Sequence, residues 1–227
     1  ALGTYHSCAR LDNGTVRCWG ASDRLGTSDS IEHGAPAVVV ENLEQVEDLV
    51  AGDEHTCAQR QNGEVHCWGS GANGRLGTGE QNSQLVPYRV TYSNDQVVSN
   101  TLKITAGSEN TIYSIRRDDG VLVASGFGRN WGRVLTDIGS TTHLLWPTFI
   151  GALPAIQSLS AGHAHACGHR ADGRVFCWGR SVDSGRSGVS VEWADLKTLD
   201  ALGAVQQIDA GRDHTCAVKE GAVICWG

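Results

Sequence analysis

The chain has 227 residues, a formal net charge of −7, 29 glycines and only 4 prolines. A negative balance excludes a nucleic-acid surface built on phosphate neutralisation, so we expect no nucleic-acid partner. No apolar run is long enough to cross a bilayer as a helix, which predicts that there is no membrane span. The chain contains no methionine, and we therefore expect it to be processed, truncated or part of a longer protein.

One motif occurs five times along the chain, and a repeat of this kind sets the architecture. Its copies are Thr4–Gly20, Asp53–Gly69, Ser108–Gly126, His163–Gly179 and Arg212–Gly227. The second copy has Asn62-Gly63 at its centre, a pair that forms tight turns because both residues tolerate positive φ. Val65 lies two residues before Cys67, so a period of two places both side chains on one face of a strand. Each copy is therefore predicted to be a β-hairpin.

The segments between hairpins complete a larger unit that recurs every ~50 residues. A strand candidate such as Val46–Val50 leads into an Ala-Gly pair before the hairpin. A glycine-rich bend such as Trp68–Gly77 follows the hairpin, and then comes an extended segment such as Tyr88–Thr91. About four strands per unit is typical of a propeller blade.

We therefore predict an all-β fold, a β-propeller of four-stranded antiparallel blades with about five blades in this chain. The repeat units are expected at about residues 1–50, 51–105, 106–160, 161–209 and 210–227, the last incomplete. Together they form a single propeller domain or fragment over residues 1–227.

The eight cysteines flank four of the five turns. Opposite positions of an antiparallel hairpin approach the separation that a disulfide needs. The third unit supports pairing on the interpretation that Ile112 and Ala124 fill its two cysteine positions, because both cysteines are then absent together. We predict four disulfides within hairpins: Cys8–Cys18, Cys57–Cys67, Cys167–Cys177 and Cys216–Cys225.

Two alternatives to disulfides are open. Eight reduced thiols could serve as buried core residues. Zinc could bind cysteine with nearby histidines such as His55, His66 and His165, but zinc sites favour short Cys-x-x-Cys loops, which this chain lacks. We therefore predict no metal and no cofactor. Disulfides favour an oxidising compartment, so the protein is expected to be secreted, periplasmic or on the cell surface.

The pattern Ala-Gly-x-x-His-Thr-Cys-Ala, then Asn-Gly-x-Val-x-Cys-Trp-Gly, then Asn-Gly-x-Leu-Gly resembles the repeat of the regulator of chromosome condensation family. The resemblance is strong in units one, two, four and five, and degenerate in unit three. It implies a seven-bladed β-propeller, of which this chain would be a part; the alternative is a smaller or open ring. The paired cysteines in Cys-Trp-Gly look like a secreted bacterial-type variant of the repeat.

Histidines recur at one motif position, which unit three fills with Asn110: His6, His55, His165 and His214. Around a propeller axis they could hold a metal or an anion. The alternative is that each histidine bonds to a neighbouring strand, as a residue repeated in every unit is expected to do. The tryptophans of the motif, such as Trp68, are expected to be buried between blades.

Candidate binding residues lie outside the motif, in the longer connections: Trp131, Trp146, Trp193 and His143. Loops on a rigid scaffold concentrate binding, and tryptophan is enriched in interface hot spots. The alternative is local packing of the loops. The variable segments expected to contact a partner are Ser22–Ala35, Thr78–Val86, Ser93–Thr101, Asn130–Pro147 and Arg180–Ala201.

No sequence motif assigns catalysis. The chain has no Gly-x-Ser-x-Gly elbow and no phosphate-binding loop, so we predict no catalytic residue and no enzyme activity. We predict a protein-binding or adhesion scaffold whose partner is another protein or a surface glycan. One alternative is guanine-nucleotide exchange on a small GTPase, the role of the family's founding member, which paired cysteines disfavour. Another is inhibition of a secreted enzyme, as in a propeller-shaped β-lactamase inhibitor.

Overall fold

The computed structural model describes residues 1–29, 35–107, 111–126, 144–150, 155–163, 165–180 and 193–227. Within these residues, eighteen strands form five antiparallel sheets. Helical structure is limited there to three single turns of 3-10 helix, Ser22–Arg24, Ala72–Gly74 and Asp200–Leu202. The all-β prediction is confirmed. No helix in the described part of the chain is long and apolar enough to span a membrane.

The five sheets follow one another along the chain. The first contains β1 (His6–Arg10), β2 (Val16–Gly20) and β3 (Val38–Val39). The second contains β4 (Val46–Ala51), β5 (His55–Arg60), β6 (Val65–Gly69) and β7 (Gln84–Arg89). The third contains β8 (Thr101–Gly107), β9 (Thr111–Arg116), β10 (Leu122–Gly126) and β11 (Leu144–Ile150). The fourth contains β12 (Ser158–Ala161), β13 (His165–His169), β14 (Val175–Arg180) and β15 (Trp193–Thr198), and the fifth β16 (Gln207–Ala210), β17 (Thr215–Lys219) and β18 (Ala222–Trp226).

Each sheet is a meander, and we call the sheets blades 1 to 5. The strand that leads into each Ala-Gly pair bonds to the hairpin that follows it, as Val50 opposite Cys57 shows in blade 2. Strands β4, β8, β12 and β16 are neighbours around a central channel. Blades 2, 3 and 4 therefore have the predicted four antiparallel strands, and five blades are represented in the chain.

In blades 1 to 4, the glycine of the hairpin turn joins its blade to the next one. In blade 2, Gly63 has φ +80°, and a Cβ there would lie 2.6 Å from the backbone nitrogen of Asn100. This close approach lets the Gly63 carbonyl accept a hydrogen bond from the Thr101 amide, at 3.3 Å. The turn glycines Gly14, Gly120 and Gly173 each accept the same bond from the following blade. The glycine in these turns therefore serves the contact between blades as well as the turn itself.

The hydrophobic core lies between the sheets. One cluster of buried side chains joins blades 1 and 2, and another joins blades 3 and 4. The exposure of the valine two residues before the second cysteine shows whether a neighbouring blade covers that sheet. Val65 is 2% exposed and Val175 is 0% exposed, whereas Val223 of blade 5 is 68% exposed. Since no further blade covers blade 5 in the described structure, its outward face is open.

Four disulfides join the hairpin strands: Cys8–Cys18, Cys57–Cys67, Cys167–Cys177 and Cys216–Cys225. The prediction of disulfide bonds is confirmed. The first three are buried beneath the next blade, whereas Cys225 on the open face of blade 5 is exposed.

The third blade departs from the predicted alignment. Ala124 pairs with Tyr113, not with Ile112, so Tyr113 fills the first cysteine position. The cause is one extra residue in the preceding turn: three residues separate Gly107 from Thr111, whereas two separate Gly52 from His55. The interpretation that placed Ile112 and Asn110 at the cysteine and histidine positions is therefore wrong. Tyr113 packs edge-on against Trp178 of blade 4, with ring centroids 5.9 Å apart.

Candidate functional site

A cavity of about 540 Å³ lies on the axis between the inner strands. Its wall is formed mainly by Ala-Gly pairs, and its mouth by the residue after each glycine: Thr4, Asp53, His163 and Arg212. We call the end of the propeller where these residues lie the Ala-Gly face. The wall residues are almost constant between repeats, whereas the mouth residues differ in charge and size.

The wall glycines are required by a histidine that lies over each of them. A Cβ on Gly52 would lie 2.2 Å from the His55 ring, and one on Gly162 would lie 2.4 Å from the carbonyl oxygen of Gly211 in the next blade. The same histidine contact occurs at Gly3 and Gly211. Only glycine leaves room here for both the ring and the neighbouring backbone.

The repeated histidine joins one blade to the next. A hydrogen bond of 2.7 Å links His6 Nε2 to Thr56 Oγ1 of blade 2, and one of 2.8 Å links His165 Nε2 to Thr215 Oγ1 of blade 5. Both histidines are buried, and neither lines the channel. Among the described residues, no group of three His, Cys, Asp or Glu is arranged to hold a metal ion. The geometry supports the interpretation of the histidine as a contact between blades.

The contact between blades 2 and 3 lacks this hydrogen bond. Register places Ile112 where the other blades have a threonine or a smaller residue. His55 is fully buried, and within the described part of the chain neither of its ring nitrogens has a hydrogen-bond partner. The same interface has Ser125 at the position of the motif tryptophan. The third unit therefore weakens two parts of the repeated contact at once.

The motif tryptophan covers the preceding blade in the other interfaces. Trp68 is fully buried and donates its indole N–H to the carbonyl oxygen of Arg24, at 3.1 Å. Trp178 is 1% exposed, whereas Trp19 of blade 1, which has no preceding blade in the described structure, is 41% exposed. This confirms that burial of the indole depends on the neighbouring blade.

Burial sets the charge of the interface histidines. Burial, assisted by Arg24, lowers the pKa of His6 from its ordinary value of 6.5 to about 4. Burial, assisted by Arg75 and His6, lowers the pKa of His55 to about 3. Both rings are therefore neutral at neutral pH.

An ion cluster crosses from blade 1 to blade 2 at the Ala-Gly face. The Glu54 carboxylate accepts hydrogen bonds from Arg24 at 2.9 Å and from Arg75 at 3.1 Å. Although burial acts to raise the pKa of Glu54, the two guanidinium groups hold it below its ordinary range. Sequence reasoning missed this cluster, because its members come from separate loops and only the blade contact brings them together.

The direction of the strands sets the face at which most variable segments start. The third strand of each blade ends at the Ala-Gly face, as Gly69 opposite His55 shows. The segments that follow β2, β6, β10 and β14 therefore start there. These include four of the five predicted contact segments, whereas Ser93–Thr101 lies at the opposite face, beside the hairpin turns. Of these four, residues 30–34, 130–143 and 181–192 lie outside the described residues.

The predicted binding residues are placed as follows. Trp131 and His143 lie outside the described residues. Trp146 lies within strand β11, and Trp193 begins strand β15, so the prediction that both lie in loops is wrong. The cause is that outer strands pair with the hairpin, a contact distant in sequence. A binding role for these residues stays a prediction.

Trp146 packs between blades. Its ring lies over Gly79 of blade 2, where a Cβ would approach to 2.0 Å, and the side chain is half-buried. The adjacent Pro147 lies close to Gly77 of the same loop. Trp146 therefore covers the loop of blade 2 at the interface where the motif tryptophan is missing.

Meanders arranged around a common channel and joined by a repeated contact define this chain as a repeat β-propeller. Two models of the regulator of chromosome condensation (RCC1) repeat match it, one over residues 62–113 and the other over residues 1–24, 46–75 and 156–185. The chain belongs to the RCC1 repeat family.

Known proteins resemble the chain over almost its whole length. It is 30% identical over 247 residues to the ultraviolet-B receptor UVR8 of Arabidopsis thaliana, covering 100% of this chain but 52% of the receptor. The structure of human WBSCR16 matches with a TM-score of 0.81 and 20% identity, over 99% of this chain and 60% of that one. Yeast RCC1 (Prp20), solved bound to Kap60, matches with a TM-score of 0.81 and 22% identity, over 99% of this chain and 54% of that one. The chain thus spans about half the length of the curated relative it matches.

Replacing Thr56 with valine should lower the free energy of unfolding by about 1–2 kcal/mol, because His6 loses its partner inside the protein. Thr215→Val should have a similar effect at blades 4 and 5, and Thr56→Ser, which keeps the hydroxyl, should cost less. Urea unfolding measures all three. Equal stability of Thr56→Val and the parent protein would contradict a stabilising role for the bond.

Stability should fall as the pH drops from about 6.5 to about 4. The unfolded chain binds protons on His6 and His55 near pH 6.5, whereas the folded protein resists protonation down to about pH 4 and 3. Protonation of each histidine in the unfolded chain should lower the free energy of unfolding by roughly 2 kcal/mol between pH 7 and pH 5. Urea unfolding at a series of pH values measures how the free energy of unfolding changes with pH, which gives the number of protons taken up on unfolding. In His6→Gln that number should decrease by about one, whatever the absolute stability. An unchanged number would refute the lowered pKa of His6.

Trp146→Ala should lower the free energy of unfolding by about 2 kcal/mol, because the half-buried ring leaves a gap over Gly79. Leu85→Ala is the matched control, since Leu85 lies in the equivalent outer strand of blade 2 and is 48% exposed. Thermal or urea unfolding compares the two. A loss no larger than that of the control would show that Trp146 is free to serve binding alone.

Proposed function

We propose that this protein is a non-enzymatic scaffold of an oxidising compartment, secreted or on a cell surface, that binds a partner protein through its Ala-Gly face. The observation that carries the proposal is that the segments after β2, β6, β10 and β14 start at this face, beside the channel mouth. Interface residues repeat from blade to blade, whereas Thr4, Asp53, His163 and Arg212 differ at one motif position. Variable loops that start mostly from one face of a repeated framework are typical of a binding surface.

Rigidity supports this mechanism. The histidine bonds and the buried disulfides hold the strands at which the face's loops start, before a partner arrives. Preformed loops lose less conformational entropy on association. Loop residues 80–83 in blade 2 are exposed between the fixed ends of β6 and β7, and thus available for contact.

A protein partner is favoured by the relatives. Yeast RCC1 (Prp20) has been solved bound to the protein Kap60. Because the chain covers 54% of that protein at 22% identity, the partner itself is not transferred, only the use of this fold to hold a protein.

The disulfides support an oxidising compartment. Four bonds within hairpins persist where thiols are oxidised. Exchange on a small GTPase would require a reducing compartment, and no observation favours it here. The relation to a secreted bacterial-type variant of the repeat stays a prediction.

Removing the exposed side chains of the blade 2 loop should abolish capture of the partner. The test variant combines Glu80→Ala, Gln81→Ala and Asn82→Ala. The control combines Ser93→Ala, Asn94→Ala and Gln96→Ala on the exposed loop at the opposite face of the same blade. Each tagged protein is incubated with culture supernatant and with surface extract from its source organism, and the captured proteins are identified by mass spectrometry.

We expect one protein to be captured by both the parent and the control. The amount of it captured by the test variant should be at least ~10-fold lower (about 1.4 kcal/mol). Loss of capture with the control alone would move the binding surface to the hairpin-turn face. Identical capture by all three would refute the Ala-Gly face as the binding surface.

A further inference from the structure

One charged group at the channel mouth is unpaired. The carboxylate of Asp53 makes no hydrogen bond or ion pair with any residue that the structure describes. Arg75 experiences its charge but is bonded to Glu54 at 3.1 Å. Asp53 also lines the cavity. An unpaired carboxylate beside an open cavity is a candidate for recognition of a cation.

The backbone fixes the position of Asp53. Its carbonyl oxygen accepts a hydrogen bond of 3.0 Å from the Thr4 amide of blade 1. Across the mouth, the Arg212 carbonyl accepts the equivalent bond from the His163 amide, also at 3.0 Å. Residues of the mouth are therefore held by bonds between blades, and Asp53 is preorganised rather than placed on a free loop.

Other charged side chains along the inner strands have hydrogen-bond or ion-pair partners. Lys103 pairs with Asp48 at 2.8 Å, and Ser160 donates to Asp209 at 2.9 Å. Arg212 has Asp213 within 3.7 Å. The unsatisfied charge that lines the cavity is thus the negative one of Asp53 on blade 2.

We infer that the channel mouth receives a lysine or arginine side chain from an extended segment of the partner protein, with its cationic group against Asp53. A cavity of about 540 Å³ has room for such a side chain and its adjoining residues. A single carboxylate suits an ammonium or guanidinium group better than Ca²⁺ or Mg²⁺, each of which collects six or more oxygen ligands. The alanine and glycine wall offers apolar surface to the aliphatic stem. The inference rests on the proposed protein-binding function and specifies the chemistry of its partner.

Short peptides test the inference directly. The probes are acetylated and amidated Gly-Gly-Lys-Gly-Gly and Gly-Gly-Arg-Gly-Gly, with Gly-Gly-Gln-Gly-Gly as the neutral control. Binding to the chain is followed at low ionic strength by NMR shifts of the amides of Gly52, Gly162 and Gly211. The lysine and arginine peptides should shift these amides in a saturable way, and the glutamine peptide should not.

The matched variants are Asp53→Asn and Asp172→Asn. Both remove one negative charge, but Asp172 lies in an exposed turn at the opposite face, where an asparagine keeps the hydrogen bond to the Arg174 amide. Asp53→Asn should weaken the lysine peptide at least ~10-fold (about 1.4 kcal/mol), and Asp172→Asn should not change it. Absence of saturable shifts with both cationic peptides, or equal binding to Asp53→Asn and the parent, would overturn the inference.

The partner capture assay separates this inference from the proposed function. If the loop variant of residues 80–82 loses the partner and Asp53→Asn retains it, the Ala-Gly face binds a protein but the cation does not enter the channel. That outcome rejects the inference and leaves the proposed function standing. Loss of the partner with both variants, but not with Asp172→Asn, supports both.

Discussion

The contact between successive blades is the constraint on which the other features of this protein depend. A glycine at the channel makes room for a histidine ring and for the carbonyl of the neighbouring blade, and the histidine bonds across to a threonine. At the opposite face, a turn glycine bonds the first strand of the next blade. The hydrophobic clusters lie between sheets and not within them. A blade therefore gains most of its stability from its neighbours, as expected for repeat architectures.

The repeat explains how much of the fold could be predicted. Strand type, turn position and cysteine pairing are local properties of each copy, and comparison of copies made them readable. The alignment of the third unit could not be read in this way. One extra residue before Thr111 shifts the register, and the sequence alone fits either Ile112 or Tyr113 at the first cysteine position. Trp146 was assigned to a loop because outer strands are defined by pairing over a long connection. Glu54 gave no signal, since its partners come from two different loops.

The third unit shows how the scaffold tolerates an exception. It lacks the disulfide, the motif tryptophan and the hydroxyl that would face His55. Tyr113 against Trp178 and Trp146 over Gly79 supply apolar contacts instead. Apart from this exception the framework repeats where blades meet, whereas it is chemically variable at the channel mouth and in the loops that start beside it. That separation is the physical basis for assigning recognition to the Ala-Gly face.

The proposed function requires a scaffold braced by disulfides in an oxidising compartment. The intact mass of the protein from its natural source tests most directly whether these disulfides are formed. The denatured protein is weighed before and after reduction, without exposure to oxidants. Four bridges predict a gain of about eight mass units, since each sulfur takes up one hydrogen. No gain in mass would mean free thiols, and would contradict both the disulfide bracing and the compartment in which the proposed binding takes place.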